Sequence, residues 1–150
     1  MTIGEAAETV RIEPYRDAHF SGVDSLWKEA FPEDPPRNHA AVAIPEKLAV
    51  QPDLLLVAID TGDDVVGTAM AGYDGHRGWL YSVAVRRSHR RRGIGELLVR
   101  EAEARLAALG CRKVNLQVRS TNEAVVAFYR ALDFEIEARI SLGKRLQSQE

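Results

Sequence analysis

The spacing of apolar residues changes from segment to segment along this chain, and the changes mark out its elements. Val10–Pro14 alternates apolar and polar side chains and predicts a first strand. Asp17–Phe31 then repeats at helical spacing, with Phe20, Val23, Trp27 and Ala30/Phe31 on one face. Pro32-Glu33-Asp34-Pro35-Pro36 breaks that helix, because proline removes a donor and restricts the residue before it. Pro45 suits the first turn of a short helix over Pro45–Val50. Leu54–Asp60 and Val65–Tyr73 are apolar, β-branched runs joined by the turn Thr61-Gly62-Asp63-Asp64, in which Gly62 is expected to supply the permissive dihedrals. A second turn, Asp74-Gly75-His76-Arg77-Gly78, leads into the strand Trp79–Val85.

Helical spacing returns from Glu96 to Leu109, through Leu97, Leu98, Ala102, Leu106 and Leu109, and Gly110 is placed as its C-cap. Val114–Val118 reads as a strand, Thr121–Leu132 as a helix and Phe134–Leu142 as a final strand. A meander followed by a strand–helix–strand crossover predicts an α/β fold with a mixed, mostly antiparallel twisted sheet and helices on both faces. Residues 1–9 and 147–150 are polar and read as tails around one domain over 10–146.

Composition narrows the function classes. With 45% apolar and 28% charged residues, the chain has the balance of a soluble globular domain. A net charge of -2 argues against a polyanion partner, and no run reaches membrane-spanning length. The single cysteine, Cys111, rules out an internal disulfide and fits a reducing cytoplasm, where it reads as a small apolar residue and not a nucleophile. Four histidines, at 19, 39, 76 and 89, lack metal-ligand spacing, so no metal is expected.

The most specific signal is Arg90-Arg91-Arg92-Gly93-Ile94-Gly95-Glu96, set between a strand and a long helix. Glycines there let the backbone approach a ligand, and the free N–H groups at a helix start favour an anion. Neighbouring arginines can neutralise a pyrophosphate, with Arg86, Arg87 and His89 adding to the basic stretch. The bland reading of this stretch is a solvated basic loop. A nucleic-acid patch would need stacking aromatics or a second basic stripe, and neither is present nearby.

Three linked motifs extend this reading. Arg90-x-x-Gly93-x-Gly95, Asn122-x-x-Ala-x-x-x-Phe128-Tyr129, and Phe128-Tyr129-Arg130-Ala131-Leu132-Asp133-Phe134 follow one another in order. Together they resemble the GNAT superfamily of N-acetyltransferases over about residues 10–146. Asp133 departs from that pattern, standing where glycine is usual, and Asp tolerates the left-handed turn better than most residues. The runs Gly72–Gly78 and Ser141–Leu146 look like small bacterial acetyltransferases of the YpeA type.

The resemblance implies a sheet splayed between the fourth and fifth strands, with acetyl-CoA as co-substrate. It implies that Arg90, Arg91, Arg92, Gly93, Ile94, Gly95 and Glu96 form the pyrophosphate loop. Main-chain groups of Val83, Ala84 and Val85 would pair with pantetheine, and the Val83 N–H would stabilise the oxyanion. Asn122 would hold the coenzyme's amide arm, and Tyr129 would bind near the thioester and protonate the departing thiolate. Some relatives carry Glu or His as a base on the strand before the loop, at positions matching Trp79 and Tyr81, but both are aromatic here. Tyr81 is left either to hold a relay water or to wall the acceptor pocket. Glu33, Asp34, Asp74 and His76 are further candidates for acceptor contact, each more simply read as a surface turn or loop residue.

The expected function is direct transfer of an acetyl group to a primary amine, either a small amine or a peptide or protein amine. No nucleic acid or membrane partner is expected, and a homodimer is allowed. The rival reading is a coenzyme-binding sensor that has lost catalysis, motivated by the missing strand carboxylate.

Overall fold

The structure is a computed structural model and describes residues 10–146. They form two compact units, the first ending at Leu116 and the second beginning at Gln117. The expected tails over 1–9 and 147–150 lie outside the described residues.

The first unit is built on one five-stranded sheet in the order β1-β2-β3-β4-β5. Its strands are β1 (Val10–Pro14), β2 (Leu55–Asp60), β3 (Val65–Tyr73), β4 (Gly78–Val85) and β5 (Val114–Leu116). The first three pairings are antiparallel, from Val10 opposite Asp60 through to Tyr73 opposite Gly78. β4 and β5 are parallel, as the intervening helical crossover requires. In β2 every residue from Leu55 to Ile59 is buried, so its unbroken apolar run is that of a strand covered on both faces.

The covering helices are α1 (Phe20–Ala30) and α2 (Ala40–Leu48) on one side and α3 (Ile94–Ala108) on the other. β3 shows the separation. The Thr68 side chain meets Trp27 of α1, while a side chain at the adjacent Gly67 would strike Leu98 of α3. Successive strand residues point to opposite faces. Tyr15, Val23, Leu26, Trp27, Ala40 and Ile44 close over Leu55, Val57 and Ile59 on the α1 side. Ile94, Leu98, Val99, Ala102 and Leu106 form the buried stripe of α3.

Several local expectations are corrected. α3 begins at Ile94 and not Glu96, so Gly95 lies in its first turn. α2 spans Ala40–Leu48, with Pro45 inside it and not at the start of a helix over Pro45–Val50. Ala40 and Ile44, one turn apart, are buried beside Trp27, and this packing outweighs the one hydrogen bond that Pro45 cannot donate. In the β2–β3 turn the left-handed residue is Asp63 (φ 64°), not Gly62. The Asp60 carboxylate fixes that turn by accepting the Gly62 and Asp64 N–H groups at 3.0 and 2.9 Å.

The second unit contains α4 (Glu123–Ala131), ended by Asp133 at φ 73°. The left-handed turn expected at this aspartate is present. The strand expected over Phe134–Leu142 does not form, and Ile136, Ile140 and Leu142 are exposed. Its alternation is a genuine local pattern, but a strand exists only when a neighbour supplies the facing ladder of donors and acceptors.

Gly67 is where α3 approaches the sheet most closely. A Cβ there would lie 2.8 Å from Leu98 Cδ1 and 3.1 Å from the Ala84 carbonyl oxygen. Gly67→Ala is therefore expected to destabilise the protein by about 1–3 kcal/mol through overpacking, read as a lower urea midpoint at unchanged slope.

Candidate active site

β4 departs from regular pairing at its centre. Thr68 faces Ala84 and Met70 faces Tyr81, so one β3 residue, Ala69, spans two β4 residues, Ser82 and Val83. This is a β-bulge, and Ser82 takes a left-handed φ of 50° within it. Such a backbone costs roughly 1 kcal/mol or more for a residue other than glycine, so something must hold it. Thr68 does so. Its buried hydroxyl donates to the Ser82 carbonyl at 2.8 Å and accepts the Trp27 indole N–H at 2.9 Å.

Pairing on the other edge of β4 is short. β5 matches only Gly78, Trp79 and Leu80, and neither Ser82 nor Val83 has a register partner on β3. The sheet therefore opens beyond Leu80, as expected between the fourth and fifth strands. Val83, Ala84 and Val85 lie along this opened stretch.

The glycine loop follows directly. Arg91 (φ 64°) and Gly93 (φ 80°) are both left-handed, and Gly93 is the N-cap of α3. The first bond of the helix runs from the Leu97 N–H to the Gly93 carbonyl at 3.0 Å. The N–H groups of Ile94, Gly95 and Glu96 therefore have no carbonyl within the helix, and no side chain caps them. Arg90 Nε donates to the Val85 carbonyl at 3.3 Å, tying the loop to the strand end. Exposed Arg91 and half-buried Arg92 have no acidic partner among the described residues.

Two of the other basic residues of the stretch, Arg86 and His89, have side-chain partners. Arg86 donates to the carbonyls of Val65 and Gly22 at 2.9 and 3.0 Å and to Ser25 Oγ at 3.2 Å, fastening β3 to α1. The backbone N–H of exposed Arg87 donates to Glu29 at 2.9 Å, and the His89 ring lies 3.5 Å from the Asp60 carboxylate. Sequence alone joined these residues to the phosphate candidates; the structure separates Arg86 and His89 from them.

Tyr81 is half-exposed on β4, and burial, followed by the Asp74 charge, pushes its hydroxyl above the ordinary tyrosine range. In the second unit, the Asn122 side-chain oxygen accepts the Val125 N–H at 3.3 Å and so caps α4. Tyr129 stacks edge-on against Phe128 and Phe134, with centroids 4.9 and 5.5 Å away. Burial pushes its pKa up to about 12, so the phenol stays protonated at any physiological pH.

Of the remaining candidates, Asp34 borders a cleft of about 310 Å³ that also takes in Trp27, Phe31 and Asp24, whereas Glu33 does not line it. Asp74 accepts the His76 and Arg77 N–H groups, each at 2.8 Å, which hold its carboxyl below the usual range and make it a turn residue. Cys111 is half-buried, its thiol donating to the Lys113 carbonyl at 3.2 Å.

Residues 20–134 match the profile of the Acetyltransferase (GNAT) family. The chain belongs to this family. An acetyltransferase of Pectobacterium atrosepticum is 41% identical over 137 residues, which cover 91% of this chain and 96% of that protein. One of Yersinia pestis, strain Nepal516, is 43% identical with the same coverage of each. The fold is shared with the aminoglycoside N-acetyltransferase AAC(6')-Iy in complex with CoA, at TM-score 0.73, 23% identity and coverage of 92% and 95% of the two chains. It is also shared with Ard1 from Thermoplasma volcanium, at TM-score 0.77, 22% identity and coverage of 87% and 85%. This GNAT protein is therefore an acetyltransferase, which disfavours the reading as a sensor without catalysis. No helix among the described residues is long and apolar enough to cross a membrane.

Sequence reasoning missed Thr68, which stands in an apolar strand and carries no motif. Thr68→Val in this GNAT enzyme would leave a buried indole N–H and the Ser82 carbonyl without partners. A loss of about 1–3 kcal/mol is expected in chemical denaturation, with Thr68→Ser keeping most of the stability.

Proposed function

We propose that this GNAT acetyltransferase moves the acetyl group of acetyl-CoA directly to a primary amine, of a small molecule or a peptide end, in a ternary complex. The observation that carries this reading is the start of α3. Three uncommitted backbone N–H groups there lie beside two arginines with no acidic partner, a combination suited to a pyrophosphate. CoA bound to AAC(6')-Iy, a protein of the same fold, supports the choice of ligand.

In this reading Arg91 and Arg92 neutralise the pyrophosphate, while Ile94, Gly95 and Glu96 contribute main-chain donors and Arg90 steadies the loop. Val83 to Val85 pair with the pantetheine arm, and Asn122 contributes its side-chain amide. The Val83 N–H, taken out of register by the bulge, donates to the thioester oxygen as negative charge develops there. The amine attacks the carbonyl carbon, the thioester C–S bond breaks, the departing sulfur takes a proton from the Tyr129 hydroxyl, and the proton shed by the nitrogen returns to that oxygen through water. Burial keeps that proton on the phenol until it is needed. Tyr81 orients a water or the amine itself, and no acyl-enzyme forms.

Calorimetry with acetyl-CoA tests the reading. Saturable binding is expected, weakened about a hundredfold or more in Gly95→Glu, whose carboxylate would occupy the anion's place. No binding at millimolar concentration would overturn it. Tyr129→Phe should keep acetyl-CoA affinity and lower kcat about a hundredfold, with KM little changed. Full turnover with chemistry rate-limiting would make the hydroxyl structural only.

A further inference from the structure

Lys47 lies in the last turn of α2 with a half-buried ammonium group. Its one side-chain partner among the described residues is Gln51 Oε1, at a long 3.4 Å. That oxygen is already engaged. It accepts the Tyr73 N–H at 3.0 Å, while the Gln51 amide donates back to the Tyr73 carbonyl at 3.1 Å. Burial pushes the Lys47 ammonium below the ordinary lysine range, and no neighbouring acid offsets it. A partly desolvated cation of this kind is stable only beside an anion or open water.

A glycine lies beside it. A side chain at Gly72 would begin 3.6 Å from Lys47 Nζ, 3.7 Å from Gln51 Oε1 and 3.9 Å from the Tyr81 ring, with nothing nearer. The absent side chain at Gly72 therefore lets the ammonium and the edge of Tyr81 approach one point over β3. Met70 faces Tyr81 and Gly72 faces Trp79, so this point lies two β4 residues from the bulge at Val83. It belongs to the α1–α2 side of the sheet, whereas α3 and its anion-suited start cover the other.

We propose that Lys47, across Gly72 from Tyr81, binds a carboxylate carried by the acceptor, so that the substrates are amino acids or short peptides bearing both a free amine and a free carboxylate. This rests on the acetyl-transfer reading above. Lys47 donates to the carboxylate oxygens, which supply the missing counter-charge. The same cation disfavours a second positive charge nearby and so favours the neutral, nucleophilic amine. That effect suits a strand on which tyrosine and tryptophan stand in place of a carboxylate base.

The test compares dialanine and triglycine with their C-terminal amides as acceptors for the full-length protein with acetyl-CoA. The free acids should be preferred about tenfold or more in kcat/KM, mainly through KM. Lys47→Met should bring the acid-to-amide ratio close to one, and Lys47→Arg should retain part of it. The acetyl-CoA dissociation constant of each variant reports whether it has folded. Equal use of acid and amide by the unaltered enzyme overturns the proposal. So does a preference that survives Lys47→Met, or acetyl-CoA binding with no transfer to either member of any pair. Absence of acetyl-CoA binding sinks the acetyl-transfer reading instead, so the two failures are distinct.

Discussion

The Thr68 hydroxyl joins three elements at a single buried point. It receives the indole N–H of Trp27 on α1 and donates to the Ser82 carbonyl on β4, from the middle of β3. Thr68 and Trp27 are both screened from water, so their polar groups must find partners there or remain unsatisfied. The bulge at Ser82 is the consequence that matters for chemistry. It takes Ser82 and Val83 out of the ladder and leaves backbone available on the strand that leads into the glycine loop. Arg86 reinforces the same junction by binding carbonyls of both Gly22 and Val65.

The loop after β4 shows how one sequence feature divides into two physical roles. The side chains of Arg86 and His89 are bound to Val65, Gly22 and Asp60 and so build the scaffold. Arg91 and Arg92 lie beyond them, where the backbone turns left-handed and the helix begins. Their charge is unspent, and it lies beside the positive end of α3. Charge that is already paired contributes to folding, and only the unpaired remainder is available to a ligand.

Elements with strong periodicity are legible in the order of residues alone. β3 occupies the expected Val65–Tyr73, and β1 the expected Val10–Pro14. The GNAT assignment was carried by Arg90, Gly93, Gly95, Asn122, Phe128 and Tyr129 in order, and the family match covers all of them. Helix limits were less legible, because the start of α3 at Ile94 depends on the dihedrals of Gly93, and α2 tolerates Pro45 only through the burial of Ala40 and Ile44.

The amino-acid sequence by itself determined the element order, the family, and the glycine loop at a helix start, because local periodicity and turn chemistry are short-range properties. Tertiary structure alone decided which arginine side chains have partners, that a threonine holds the bulge, and that the Lys47 ammonium lies beside Gly72 and Tyr81. It also decided that Phe134–Leu142 forms no strand despite its alternation. Each of these depends on a partner distant in sequence. Thr68 acts through residues 41 positions before it and 14 after it. Pairing, burial and free charge are properties of neighbours in space, and no pattern along the chain records them.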